Sequence, residues 1–178
     1  MPAASEAIAV NTGPLIALVA CQSLDLLKEL HRHVLVPTAV VDDFGRGGAG
    51  AGVEAGLPAW LEVRSLTAPL PPLLAAHLDK GEASAIALAL EARVPLVAID
   101  ERRGRLVARD VGLMVTGTLG LLLRAKRLGI IDAVAPRLTA MRQRGIWLGE
   151  ALVRHVLNEA KEPVSSAPDL ARTTSTKS

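Results

Sequence analysis

The chain contains very few cysteine and aromatic residues. Cys21 is the single cysteine, so no disulfide can form within the chain. It lies in the apolar run PLIALVAC, which favours a buried, unreactive thiol and fits the reducing cytoplasm. The aromatic residues are Phe44, Trp60 and Trp147. Their scarcity argues against a base-stacking aromatic platform, so any nucleic acid is expected to be held mainly through its backbone.

The sequence also lacks membrane signals and a strong net charge. No uniformly apolar segment approaches the roughly 20 residues needed to cross a bilayer. No Lys or Arg precedes the first apolar stretch, as it would in a secretory signal. The formal charge of +2 is too small to indicate a polyanionic partner by itself. We therefore expect a cytoplasmic protein that does not enter the membrane.

What is present is a chain long enough for one domain with its own core. Half of the 178 residues are hydrophobic, so neither disulfides nor a metal is needed for stability. We place the domain at residues 1–162. Residues 163–178 are rich in Ser and Thr, with Val164 and Leu170 as the large apolar residues, and they predict a disordered tail.

Short apolar runs alternate with helical patterns along the chain. The runs at 7–10, 34–36, 96–99 and 113–115 predict four buried strands, with an edge strand at 61–63. Helices are predicted between them, and strand–helix alternation favours a three-layer α/β/α domain with a mostly parallel central sheet. We expect the helix after Pro37 to end at Gly45, followed by a mobile loop over 45–56. His31 and His33 are predicted at the end of a helix, in a structural role.

Four polar residues stand at strand ends or on neighbouring helices. Asn11 follows the first strand, Asp43 lies on the helix after the second strand, Glu82 is in the first turn of a helix, and Asp100 follows the run 96–99. The carboxyl ends of parallel strands open onto the ligand crevice of α/β sheets. Crowded carboxylates repel one another unless a divalent cation neutralises them, and oxygen ligands suit Mg²⁺ or Mn²⁺. The acids therefore predict a metal site for phosphoryl chemistry.

Each of these residues also has a structural alternative. The alternatives are a capping box for Asp79 and Glu82, a cap on the following helix for Asp100, a solvent-facing position for Asp43, and a turn or cap for Asn11. Asp42 points about 100° away from Asp43 on a helix. Only one of these two acids is therefore expected to face the crevice.

Five segments of the chain resemble a known protein family. In order, they are VNTGPLIAL, VLVPTAVVDDF, LDKGEASAIALALE, VPLVAIDERRGR and VTGTLGLLLRAKRLGIID, between about Ile8 and Ala160. Together they resemble the PIN-domain superfamily, in its DUF3368 branch of proteins similar to the toxin ribonucleases of toxin–antitoxin pairs. The resemblance implies a PIN fold, a divalent metal, and cleavage of single-stranded RNA by a cluster of acids.

The resemblance carries the four acidic positions of the family onto Asn11, Asp43, Glu82 and Asp100. Asn11 departs from the pattern, because an amide oxygen carries no negative charge and binds a metal more weakly than a carboxylate. Our leading hypothesis is a Mg²⁺- or Mn²⁺-dependent endoribonuclease. In it Asp43, Glu82 and Asp100 hold the ion, and Asn11 orients the attacking water, which leaves a 5′-phosphate on one product.

The partners follow from the same hypothesis. Arg102, Arg103 and Arg105 are predicted to hold the RNA backbone, with a solvated helix face as the alternative. The resemblance implies a small antitoxin that blocks the crevice, and dimerisation of the toxin. The main alternative is a non-catalytic PIN-like module that binds RNA or protein. A receiver-like phosphoacceptor domain would need an acid pair after the first strand and a lysine after the last, and neither is present.

Overall fold

The structure, a computed structural model, describes residues 5–47 and 57–164. Its strands are β1 (Ser5–Val10), β2 (His31–Pro37), β3 (Glu62–Arg64), β4 (Leu96–Ala98) and β5 (Met114–Thr116). Its helices are α1 (Thr12–Ala20), α2 (Leu26–Leu30), α3 (Thr38–Gly47), α4 (Pro72–His77), α5 (Lys80–Glu91), α6 (Arg102–Asp110), α7 (Thr118–Arg127), α8 (Ala135–Gln143) and α9 (Glu150–Glu159).

The strands form one parallel sheet with the order β3-β2-β1-β4-β5. Because β2 and β3 lie on one side of β1 while β4 and β5 lie on the other, the strand order reverses between β1 and β4. Val10 at the end of β1 is in register with Ala98 at the end of β4. A ligand crevice is expected outside the carboxyl ends of the strands at such a reversal. Asn11 and Asp100 therefore leave the sheet at that point.

Helices cover both faces of the sheet, because side chains alternate in direction along each strand. Ile8 and Val10 pack in the larger core, which also contains buried residues of α1, α2, α3, α7, α8 and α9. Ala9, between them, packs in the second core with buried residues of α4, α5 and α6. The predicted three-layer α/β/α arrangement with a parallel sheet is therefore confirmed.

Two local predictions about helix ends are wrong. His31 and His33 lie in β2, because α2 ends at Leu30 and the strand begins at the next residue. Nδ1 of His33 lies 2.6 Å from Oε1 of Glu62 on the neighbouring strand. Helix α3 continues past Gly45 to Gly47. Gly45 does not adopt the positive φ that ends helices at glycine, whereas Gly129 after α7 does, at 71°.

Several other expectations concern the thiol, the membrane and the chain segments outside this fold. Cys21 is buried, and burial raises the pKa of its thiol, as expected for an unreactive cysteine. No helix in the described ranges is both long and apolar enough to span a membrane. Of the predicted loop, residues 48–56 lie outside the described residues, as do residues 165–178 of the predicted tail.

Candidate functional site

Asn11 occupies the N-cap position of α1 without capping that helix. Its backbone N–H donates to the carbonyl oxygen of Ala98 (3.1 Å), which ties the end of β1 to the end of β4. Its side chain makes no capping hydrogen bond. The residue is only 6% exposed, and Oδ1 has no hydrogen-bond partner among the described residues. A buried acceptor without a partner is costly, so its position needs another explanation than capping.

Three side-chain oxygens converge on Gly81 in the first turn of α5. A Cβ built on Gly81 would lie 3.0 Å from Oδ1 of Asn11 and 3.2 Å from both Oδ2 of Asp43 and Oγ1 of Thr12. Oγ1 of Thr12 is also buried, with no hydrogen-bond partner in the described part of the chain. We call these three oxygens the oxygen cradle. Asp43 is half-buried and faces the cradle, whereas Asp42 is exposed.

Asp100 lines the same cleft as the cradle residues and caps α7, not α6, which directly follows it. Its Oδ1 accepts a hydrogen bond from the backbone N–H of Thr118 (2.7 Å), and its Oδ2 accepts one from Oγ1 of Thr118 (2.6 Å). It therefore caps α7. The structural alternative for Asp100, a cap on the helix that follows it, is not observed, since Glu101 is the N-cap residue of α6. Oδ2 of Asp100 also lies 3.8 Å from the Cβ position of Gly13, in the first turn of α1.

Glu82 is buried directly after Gly81. Oδ1 of Asp79 accepts from its backbone N–H (2.8 Å), as the capping-box pattern predicts. Its Oε1 has no hydrogen-bond partner within the described ranges and lies 2.7 Å from the Cβ position of Gly104 in α6. Burial, followed by the negative charges of Asp79 and Glu101, raises the pKa of Glu82 to about 7. A contact with the Asp79 backbone amide and the charge of Arg103 act in the opposite direction.

A cleft of about 660 Å³ connects most of these residues at the carboxyl edge of the sheet. It is lined by Asn11, Thr12, Gly13, Asp43, Asp79, Asp100, Glu101, Arg102 and Trp147. The structure thus brings Asn11, Asp43 and Asp100 to one cleft. Glu82 does not line the cleft, and its Oε1 lies against Gly104 of α6.

The side-chain atoms in and around the cleft that could coordinate a metal ion are oxygens. Within residues 5–47 and 57–164, no three His, Cys, Asp or Glu side chains are grouped as they would be to hold a metal ion. The oxygen cradle contains two buried oxygens without partners, from Asn11 and Thr12, and a carboxylate oxygen from Asp43. Oxygen donors of this kind fit a hard divalent cation such as Mg²⁺ or Mn²⁺. The ligand set Asp43, Glu82 and Asp100 stays a prediction.

The three arginines predicted to hold RNA have different surroundings. Arg102 is exposed and lines the cleft. Nη2 of Arg103 lies 3.2 Å from Nδ1 of His77 in α4. Nη1 of Arg105 donates to the carbonyl oxygen of Ile99 (3.1 Å). Arg102 is therefore the one of the three best placed to contact a ligand in the cleft.

Several residues of the cleft, among them Thr12 and Trp147, did not emerge from the sequence as site residues. Thr12 follows Asn11 directly, so the rule that strand ends face the crevice would have indicated it. Trp147 lines the cleft and is 86% exposed. The scarcity of aromatic residues led us to expect no ring at a binding surface, but this scarcity says nothing about where the few rings lie. No signal in the sequence connects Trp147 with strands that end far earlier in the chain.

We expect Glu82→Gln to reduce the pH dependence of stability in the metal-free protein. The pKa of about 7 in the folded state exceeds the reference value of 4.5. The stabilising effect of the neutral carboxyl is therefore complete below the unfolded pKa and lost as pH rises through the folded pKa. Between about pH 5 and about pH 8, the wild type should lose roughly 1–2 kcal/mol of unfolding free energy relative to the variant. Urea unfolding with EDTA measures this difference.

Glu91→Gln is the matched control for this experiment. A hydrogen bond from the Thr67 backbone lowers the pKa of Glu91, so its carboxyl titrates below the tested range and the substitution should leave the pH dependence unchanged. Equal pH dependence of the wild type and Glu82→Gln would contradict the raised pKa of Glu82.

Comparison with known proteins identifies the family. A family model described as a PIN domain, DUF3368, matches residues 7–162. The match extends from β1 to beyond α9 and contains all five segments that carry the resemblance in the sequence. No curated protein and no solved structure matches the chain. The chain therefore belongs to the DUF3368 family of PIN domains, which have a nuclease-type fold.

Proposed function

We propose that the protein is a Mg²⁺- or Mn²⁺-dependent endoribonuclease that cleaves single-stranded RNA, as the toxin of a type II toxin–antitoxin pair. The observation that carries the proposal is the oxygen cradle at the carboxyl edge of the sheet. Two of its oxygens, from Asn11 and Thr12, are buried acceptors without a partner among the described residues. A hard cation, or water held by one, supplies what such acceptors need. Membership of the PIN-domain family, which has a nuclease-type fold, supports nuclease chemistry in this protein.

Each residue has a role in this proposal. Asp43 and Asp100, which line the cleft, would hold the cation together with Glu82 from the first turn of α5, and the oxygen of Thr12 would add to the donor set. A bound divalent cation supplies Lewis-acid activation of water and neutralises charge that develops on the phosphate. Asn11 orients the attacking water through its amide. Hydrolysis breaks the bond between phosphorus and O3′, so one product carries a 5′-phosphate and the other a 3′-hydroxyl.

Two neighbouring arginines provide a test of how the substrate is held. Arg102 is exposed at the cleft, whereas Arg103 lies against His77. We expect Arg102→Ala to weaken the binding of a single-stranded oligonucleotide and to reduce the slope of log K against log salt by about 0.7, the value for one phosphate contact. Arg103→Ala should have a smaller effect on both the affinity and the salt slope. Fluorescence anisotropy at several salt concentrations, with EDTA to prevent cleavage, measures these effects. A larger effect at Arg103 would contradict this assignment.

The catalytic proposal is tested by cleavage of a panel of single-stranded RNAs. We expect cleavage with Mn²⁺, none with EDTA, and 5′-phosphate ends on the products. Both Asp100→Asn and Glu82→Gln should remove the activity, since each takes away a carboxylate while keeping the shape of the side chain. Cleavage that persists in both variants comes from a contaminating nuclease and would overturn the proposal.

A second candidate function is a catalytically degenerate PIN-like module that binds RNA or protein. The amide of Asn11 favours it, because the first acidic position of the family carries no charge here. Asn11→Asp separates the two functions. It places a carboxylate beside Oδ2 of Asp43, so it should destabilise the metal-free protein and increase its thermal stabilisation by Mn²⁺. An inert wild type and an active Asn11→Asp variant would establish the degenerate module.

The partners complete the proposal. A small antitoxin protein covers the cleft, the toxin forms a homodimer, and both act in the cytoplasm. The family resemblance supports these partners. Co-purification of the antitoxin with the toxin, together with loss of RNA cleavage in the complex, is the expected result.

A further inference from the structure

We infer that Trp147 is the platform on which an unpaired base of the substrate stacks, next to the site of cleavage. This inference rests on the proposed function and adds a positioning residue to it. An indole that is 86% exposed buries little apolar surface within the fold, so packing of the core does not explain its place. The position of Trp147 next to the acids and arginines of the site explains its place instead.

Trp147 stands where two depressions of the surface meet. One is the cleft that Asn11, Asp43 and Asp100 line. The other, which we call the groove, has a volume of about 740 Å³ and runs between α6, the start of α7, and α9. Asp100, Arg102 and Trp147 line both. A strand that crosses from the groove into the cleft therefore passes the indole close to Arg102 and Asp100.

The loop that carries Trp147 is held in place. The backbone N–H of Ile146 donates to Met141 (3.0 Å), and Nη2 of Arg142 donates to the carbonyl oxygen of Leu148 (2.9 Å). The six-membered ring of Trp147 rests over Gly149, where a Cβ would lie 3.2 Å from Cη2 of the indole. The ring is thus supported from the backbone side while most of its surface faces solvent. A platform fixed in this way loses little conformational entropy when a ligand binds.

The charge of the groove favours RNA over an apolar partner. Arg102, Arg105 and Arg109, all on α6, line the groove and outnumber its two acids, Asp100 and Glu159. Leu106 and Leu152 add apolar surface and are 49% and 46% exposed. Basic side chains that follow the backbone, combined with an aromatic face for the bases, are the arrangement that binds single strands. Inside a duplex both faces of a base are covered by its stacked neighbours, so the inference specifies an unpaired nucleotide whose base is free to stack.

Fluorescence gives a direct test, because the chain has only two tryptophans, Trp60 and Trp147. In the Trp60→Phe variant, Trp147 is the only indole. Addition of a single-stranded RNA in EDTA should quench its fluorescence, and an RNA with an abasic nucleotide at the stacked position should quench it less. With Trp60 restored, Trp147→Ala should raise the Kd about 5- to 100-fold, as for the loss of one stacked base, and Trp147→Phe should restore most of the affinity.

The reverse variant is the matched control. In Trp147→Phe the half-buried Trp60 remains, with Nζ of Lys28 located 5.6 Å from its ring centroid, and its fluorescence should not respond to RNA. Urea unfolding should give the same stability for Trp147→Ala as for the wild type, since the side chain is exposed.

Three results would overturn the inference. The first is RNA binding without quenching and with an unchanged Kd in Trp147→Ala. The second is Trp147 fluorescence that depends on protein concentration without RNA, which would place the ring between two copies of the chain. The third is failure of the wild type to bind single-stranded RNA. Mn²⁺-dependent cleavage, measured on the same preparation, tells whether the proposed function fails as well.

Discussion

Asp100→Asn is expected to lower the rate of RNA cleavage roughly 100- to 1000-fold, the range for removal of one preorganised electrostatic group. The substitution removes the negative charge at the reversal of strand order while keeping the shape of the side chain. Asn can still accept from the backbone N–H of Thr118, and its NH₂ can donate to the Thr118 hydroxyl. The cap of α7 is therefore retained, and stability should change by only about 1 kcal/mol. Initial rates with Mn²⁺ and urea unfolding measure the two effects.

Thr118→Val is the matched control for Asp100. It removes the 2.6 Å hydrogen bond to Oδ2 of Asp100 but keeps both the carboxylate charge and the backbone hydrogen bond. Loss of a group that only orients a metal ligand typically costs about 10- to 100-fold, so this variant should be less impaired than Asp100→Asn. If Asp100→Asn retained full activity, the role of Asp100 would be limited to capping α7.

The centre of the sheet could be predicted from the sequence because the apolar residues of its strands β1 and β4 are almost wholly buried, whereas Val63 in β3 and Met114 in β5 are exposed. Such strands appear as short continuous apolar runs. The runs at 7–10 and 96–99 end within one residue of the last residues of β1 and β4. The failures occur where turn residues and changes of structure do not coincide. Leu30 and His31 belong to a helix and a strand without an intervening loop, and Gly45 keeps a helical backbone although glycine often ends helices.

The site could be predicted only as far as strand ends determine it. Asn11 and Asp100 were placed correctly because parallel strands share one carboxyl edge. The contacts of their side chains depend on how distant helices pack. Asp100 accepts hydrogen bonds from Thr118, the first residue of α7, although α6 and β5 lie between them in the chain. Oε1 of Glu82 lies so close to Gly104 that a Cβ there would be only 2.7 Å away. No local pattern encodes such contacts, so even the structural alternative for Asp100 named a cap on α6, where the structure has a cap on α7.

Gly81→Ala is expected to abolish the stabilisation by Mn²⁺ and to lower cleavage about 100-fold, the cost of a displacement of about 1 Å at a catalytic site. The new methyl group would lie 3.0–3.2 Å from all three oxygens of the cradle, those of Asn11, Thr12 and Asp43. It fills the space that a cation or its water would need, without removing any polar group. In the metal-free protein, the crowding opposes the gain of up to about 1 kcal/mol from replacing glycine in a helix. The apparent melting temperature with EDTA should therefore change little.

Gly45→Ala is the control that shows whether the effect of Gly81→Ala depends on the position of the added methyl group in the cradle. Gly45 also lies in a helix, and a Cβ there would have no atom within 4 Å among the described residues outside its own helix, so alanine should stabilise the protein by about 0.5–1 kcal/mol and leave the effect of Mn²⁺ intact. Since both variants exchange a helical glycine for alanine, a difference in their response to Mn²⁺ can come only from what surrounds the added methyl group. Normal Mn²⁺ stabilisation and cleavage in Gly81→Ala would show that the cation binds elsewhere. The unpartnered oxygens of Asn11 and Thr12 would then need a different ligand, and the nuclease proposal would lose the observation that carries it.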